Sequence, residues 1–147
     1  MLVLFLSTHP PQLSSVPIPH LPTYRRIQAK DRILIILPEH LESILALLKT
    51  LEIRGKPCYP KVGTYIWLAA SSSSKVMGRA LVAACLGPLS KTEWVAYRSH
   101  HLVTSERLYG NHTYAYKLEQ VERLLCPIEI QRKRGSIDWQ IGRWANC

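Results

Sequence analysis

The sequence predicts an α+β domain built on a small, strongly curved β-barrel. Three observations lead there. Short β-branched or alternating runs recur between residues 32 and 132, only two stretches carry helical spacing, and Gly or Pro parts the runs from one another. No internal repeat interrupts this order, and 147 residues suffice for one domain with an extension.

The extension comes first. Residues 1–29 carry Pro10, Pro11, Pro17, Pro19 and Pro22 among Ser, Thr and His. Each proline fixes φ and removes a backbone donor, so neither a helix nor a central strand forms there. A flexible proline-rich N-terminal extension is expected, with Leu2 to Leu6 able to add an edge strand. Its opening MLVLFL has no basic n-region and too short an apolar run for a secretory leader.

Residues 30–147 form the domain. Arg32 to Leu37 has the length and composition of a buried strand. Pro38 suits the first position of a helix, where a missing N–H costs nothing. Leu41, Ile44, Leu45 and Leu48 then recur at helical spacing, with Glu39 and Glu42 in the first turn to complement the dipole. Thr50 to Arg54 alternates, with Leu51 and Ile53 on one face and Glu52 and Arg54 on a polar second face. Thr64 to Ala70 and Lys75 to Leu86 are strands around a serine-rich turn. Ser90 or Thr92 caps a helix through Arg98 that turns Trp94, Val95 and Tyr97 inward. His112 to Leu118 and Cys126 to Arg132 are two further strands.

Charge narrows the partners. Nineteen Lys and Arg against ten Asp and Glu give +9. Residues 1–48 hold four basic and three acidic residues, so the other fifteen and seven place +8 in the rest of the chain. Such a surface suits a polyanion, and RNA or a nucleotide is the expected partner. The longest apolar runs fall far short of the ~20 residues that span a bilayer, which predicts no membrane segment. Cys58, Cys85, Cys126 and Cys147 form no CxxC, as expected of reduced thiols in an intracellular protein, cytoplasmic or nuclear. No metal or cofactor is expected, and the phosphate-loop, HExxH and GxSxG plans are absent.

Lys49, Thr50, Glu52 and Arg54 stand at the helix-to-strand junction, and the two-residue strand period puts Glu52 and Arg54 on one face close to Lys49. Three charges therefore meet at the mouth of whatever the strand lines, with Lys49 partly exposed and replaceable at little cost in stability. The same spacing also describes an ordinary surface ion-pair network, worth only ~0–1 kcal/mol. Arg132, Lys133 and Arg134 form a basic cluster at a strand end, either a solvated turn or a phosphate track. His100, His101 and His112, with Glu106, read as loop or helix-surface residues in preference to acid–base groups.

LLKTLEIRGKP, the strand VGTYIWLAAS, then VMGRALVAACLGPLS and YGNHTYAYKLEQVERL resemble the ASCH family over roughly Arg32 to Trp144. That resemblance implies a PUA-like barrel with helices at its rim and a cleft lined by the K-T-x-E-x-R residues. It also implies a role with RNA, and in some members hydrolysis. Leu47 stands where the signature usually has glycine, so the helix is expected to run on without a glycine cap. Glu52 stands where the acetylcytidine amidohydrolases of the family carry a threonine. The reading is an RNA- or nucleotide-binding domain contacted through Lys49, Thr50, Glu52, Arg54, Arg132, Lys133 and Arg134. Its alternatives are a ribonuclease or nucleoside amidohydrolase using Lys49 and Glu52, and a protein-binding accessory domain.

Overall fold

The computed structural model describes residue 27 and residues 31–58, 62–132 and 139–141. In chain order the elements are β1 (Ile33–Ile36), α1 (Pro38–Leu45), β2 (Leu51–Arg54), β3 (Tyr65–Ala70) and β4 (Lys75–Leu86). Then come α2 (Lys91–Ala96), α3 (Arg98–His101), a 3₁₀ turn (Gly110–His112), β5 (Tyr114–Arg132) and β6 (Trp139–Ile141). The strands lie in the order β1-β3-β4-β5-β2, with β6 alongside the end of β5. β1 runs parallel to β3 and every other pairing is antiparallel.

The α+β class is as expected, but the sheet does not close into a barrel. β1 and β2 are its two edges, joined by a side chain in place of a ladder: Arg54 Nη2 donates to the Ile35 carbonyl at 2.5 Å. A backbone ladder needs strands about 4.8 Å apart. A guanidinium reaching from one strand to the main chain of the other holds them further apart than that.

The two strands expected at His112–Leu118 and Cys126–Arg132 are one strand of 19 residues. Its pairing with β4 slips three times. Val76 faces Ile128 while Gly78 faces Arg123, so the strand bulges outward between them and leaves Leu125 79% exposed. Those slips bend the sheet and break the alternation that would have marked a continuous strand. Gly78 sits where a Cβ would lie 2.5 Å from the Glu122 carbonyl oxygen and 2.6 Å from Leu45 Cδ2, which is why glycine stands there.

One face of the sheet packs Ile36, Ile66, Leu68, Val82 and Leu118 against Leu41, Ile44 and Leu45 of α1. The opposite face carries two smaller clusters. In one, Trp67, Val76, Leu124 and Ile128 enclose Ile27, which is 4% exposed. Ile27 is the single described residue of the 1–29 extension; the rest of that expectation lies outside the described residues. In the other, Leu51, Ile53 and Ala115 lie under Trp94, Leu89 and Val103.

Ser90 caps α2 with a full capping box: Glu93 N–H donates to Ser90 Oγ, and Ser90 N–H donates to Glu93 Oε1, each at 3.1 Å. The helix stops at Ala96, so one turn buries Trp94 and leaves Val95 63% exposed, against expectation. Cys58 and Cys85 are reduced as expected, whereas Cys126 is disulfide-bonded. Among the described residues no helix is long and apolar enough to cross a membrane.

Candidate functional site

The site begins where α1 ends. The expectation that α1 would run on is not met. Leu48 N–H donates to the Ser43 carbonyl and Leu47 N–H to that of Ile44, closing a Schellman turn with Leu47 at φ 63. Leucine thus takes the left-handed position that glycine favours, at a cost of ~1–2 kcal/mol. Leu47 is also 66% exposed, so it recovers little by burial. Leu47→Gly is therefore expected to stabilise the protein by about 0.5–1 kcal/mol in urea unfolding, the strain relieved exceeding the chain entropy glycine adds.

The turn delivers Lys49 to the start of β2 pointing inward. Thr50 N–H donates to the His100 carbonyl (3.0 Å), and the Thr50 carbonyl accepts from Leu118 N–H (2.9 Å), which fixes the junction between α3 and β5. The Thr50 hydroxyl lies 3.4 Å from His100 Nδ1 at the surface. Lys49 Nζ donates to the His101 carbonyl at 2.6 Å and stands 3.6 Å from Glu52 Oε2. Arg54 Nη2 lies 3.4 Å from Glu52 Oε1. The three charges therefore meet as the spacing predicts.

Their setting does not match. Lys49 is 1% and Glu52 6% exposed, so the partly exposed lysine at a cleft mouth is corrected to a buried one. β2 is covered on both faces. Leu51 and Ile53 pack under α2 and α3, while Glu52 faces the α1 side, directly opposite Tyr116, which is itself opposite Cys85. Arg54 alone of the three reaches solvent, its side chain 27% exposed. Burial pulls the Lys49 ammonium below its ordinary range; Glu52 opposes that shift and Arg54 adds slightly to it. Glu52 Oε2 and Arg54 Nε are buried with no hydrogen-bond partner, an acceptor and a donor left open on neighbouring side chains.

His101 was not legible as a structural residue. It is fully buried, stacked on Trp94 with ring centroids 3.9 Å apart. Val103 N–H donates to its Nδ1 at 2.9 Å, so Nε2 carries the proton and donates to the Trp94 carbonyl at 2.8 Å. Burial holds it below its ordinary value, with Lys49 adding to that effect. Both ring nitrogens are engaged and the ring is neutral. It clamps α2 to the loop after α3 and presents the carbonyl that anchors Lys49; it is not an acid–base group.

Tyr116 completes the row. Its hydroxyl contacts the Lys56 and Pro57 carbonyls at 3.0 and 3.1 Å, and burial pushes it up to about 12. Arg132 closes β5 at the end remote from Tyr116, its backbone paired with Trp139, so strand order does not bring it to Glu52. Lys133 and Arg134 lie outside the described residues. Among the described residues no group of three His, Cys, Asp or Glu side chains is placed to hold a metal ion.

Comparison with protein-family models and with curated proteins finds no match. Solved structures do match. The crystal structure of ASCH from Zymomonas mobilis is 24% identical, with 69% of this chain and 75% of that chain covered and a TM-score of 0.57. A single-substitution variant of the same protein gives the same figures. A second gives 68% and 76% coverage at the same identity and TM-score. This likeness establishes the fold, that of ASCH-domain structures.

Proposed function

We propose that this ASCH-fold chain binds RNA or a nucleotide through Glu52 and Arg54, with Lys49 as the residue that positions them. The observation that carries the reading is the loosely partnered pair: Glu52 Oε2, with Lys49 Nζ at 3.6 Å but no hydrogen bond, and Arg54 Nε without an acceptor, both buried. A buried polar group without a partner costs about 1–3 kcal/mol, which a ligand supplying the partner returns as affinity. A nucleobase edge offers an amino N–H for the carboxylate beside a ring nitrogen or carbonyl for the guanidinium. The Arg54 side chain, partly exposed, supplies the approach from solvent. The net charge of +9 supplies the attraction for phosphate, with Arg132, Lys133 and Arg134 as a track for a longer strand.

Hydrolysis of RNA or of a modified nucleoside, as a ribonuclease or an amidohydrolase, is the second reading. It is favoured by Lys49, whose charge burial has weakened, standing 3.6 Å from a carboxylate that can serve as general base for water.

The test is binding of short single-stranded RNA and of mononucleotides to the full chain, with the products analysed. RNA affinity is expected to fall with a log–log salt slope near −0.7 for each phosphate contacted. Glu52→Gln is expected to weaken binding by about 1–2 kcal/mol, the scale of a charge-assisted hydrogen bond. Turnover by the wild type that Glu52→Gln abolishes while binding survives would establish the hydrolase instead. Absence of binding at ~50 mM salt, where phosphate contacts are strongest, would overturn both readings and leave the protein-binding domain.

A further inference from the structure

Two reduced thiols lie on the same side of the sheet as Glu52, outside the contacts described so far. Cys58 follows β2, four residues beyond Arg54, and Cys85 lies near the end of β4, opposite Tyr116. Tyr116 holds the Lys56–Pro57 segment through its hydroxyl and so brings Cys58 back against the sheet. There the Cys58 N–H donates to Cys85 Sγ at 3.0 Å. We propose that Cys58 and Cys85 are a modification site, a thiol pair that closes into a reversible intramolecular disulfide with a small-molecule disulfide of the glutathione type as oxidant.

Geometry carries this. A disulfide needs Cα atoms about 4.4–6.8 Å apart, and a sulfur touching its neighbour's main-chain nitrogen requires little movement to reach that range. Both residues are half-buried, packed against the main core yet open to a small reagent. Burial first, then the neighbouring sulfur, pushes the Cys58 thiol up to about 11, which makes it the poorer attacking group. The first exchange therefore occurs at Cys85. The Cys85 thiolate attacks one sulfur of the oxidant, forming a mixed disulfide and releasing one thiolate. Cys58, on losing its proton, then attacks Cys85 Sγ and releases the second. Two protein thiols are oxidised by two electrons, and one small disulfide is reduced to two thiols. The bond ties the chain just beyond Arg54 to β4, so the redox state sets the stiffness of one wall of the site.

The experiment equilibrates the full chain with oxidised glutathione, traps remaining thiols with iodoacetamide and maps the peptides by mass spectrometry. The expected product is lighter by two hydrogens, about 2 Da, with peptides containing Cys58 and Cys85 joined and dithiothreitol restoring both thiols. Cys58→Ser is expected to stop at the mixed disulfide on Cys85, and Cys85→Ser to form no 58–85 bond. Wild-type protein in which both residues stay alkylatable, or in which glutathione adducts accumulate without the 58–85 bond, would overturn the proposal. Neither result depends on whether RNA or a nucleotide binds.

Discussion

Lys49→Met is expected to lower the free energy of unfolding by about 3–5 kcal/mol, the range found when one partner of a buried ion pair is removed. Methionine keeps the length and apolar stem of the side chain, so the loss isolates the ammonium. Without it the Glu52 carboxylate, 6% exposed, keeps only Arg54 at 3.4 Å, and the His101 carbonyl loses its 2.6 Å donor. Urea unfolding followed by circular dichroism reads the effect. Adding Glu52→Gln to Lys49→Met should recover at least ~1 kcal/mol, since the amide no longer brings an uncompensated charge into the core. A loss below ~1 kcal/mol for Lys49→Met would mean that water reaches the ammonium, as at an exposed pair.

His101→Ala is expected to cost about 3–4 kcal/mol, the scale of truncating a buried aromatic side chain. The Trp94 carbonyl and Val103 N–H lose their partners at the same time. The variant also tests the sign of a pH effect. Burial holds folded His101 below its ordinary value of 6.5, so in acid the unfolded chain binds a proton that the folded chain refuses. The neutral ring's contribution is whole above about pH 6.5 and declines as the pH falls from there toward the lowered folded value. Measured from pH 8 downward, wild-type stability should fall more steeply across that window than that of His101→Ala. Parallel curves would place the titration elsewhere.

The two effects share a cause that spacing could not reveal. Alternation put Glu52 and Arg54 on one face of β2 and Lys49 beside them, and the structure brings the three together. The same alternation suggested that a polar face meets solvent. β2 is instead packed on one face by α2 and α3 and turned on the other toward the face that α1 covers, so the polar side chains are buried with the rest. His101 shows the limit most sharply. Next to His100, which is exposed and touches Thr50, it is the same residue type one position along, and its contacts with Trp94 and Val103 separate their roles.

What the sequence determined by itself was local. Pro38 starts α1, Ser90, one of two candidate caps with Thr92, starts α2, and β-branched runs place β1, β3 and β4 within a residue or two of their bounds, because caps and periodicity act over single turns. It also determined which residues carry the charge and that K-T-x-E-x-R sits between a helix and a strand. Tertiary structure alone decided three things. It merged two apparent strands into β5, because the bulges that absorb the mismatch exist only against β4. It left the sheet open, because the Arg54 guanidinium fills the place of a ladder between β1 and β2. It buried Lys49 and Glu52, because the cost of desolvating a charge depends on what covers it, and the cover over one face of β2 comes from α2 and the loops beside it, some forty positions further along the chain.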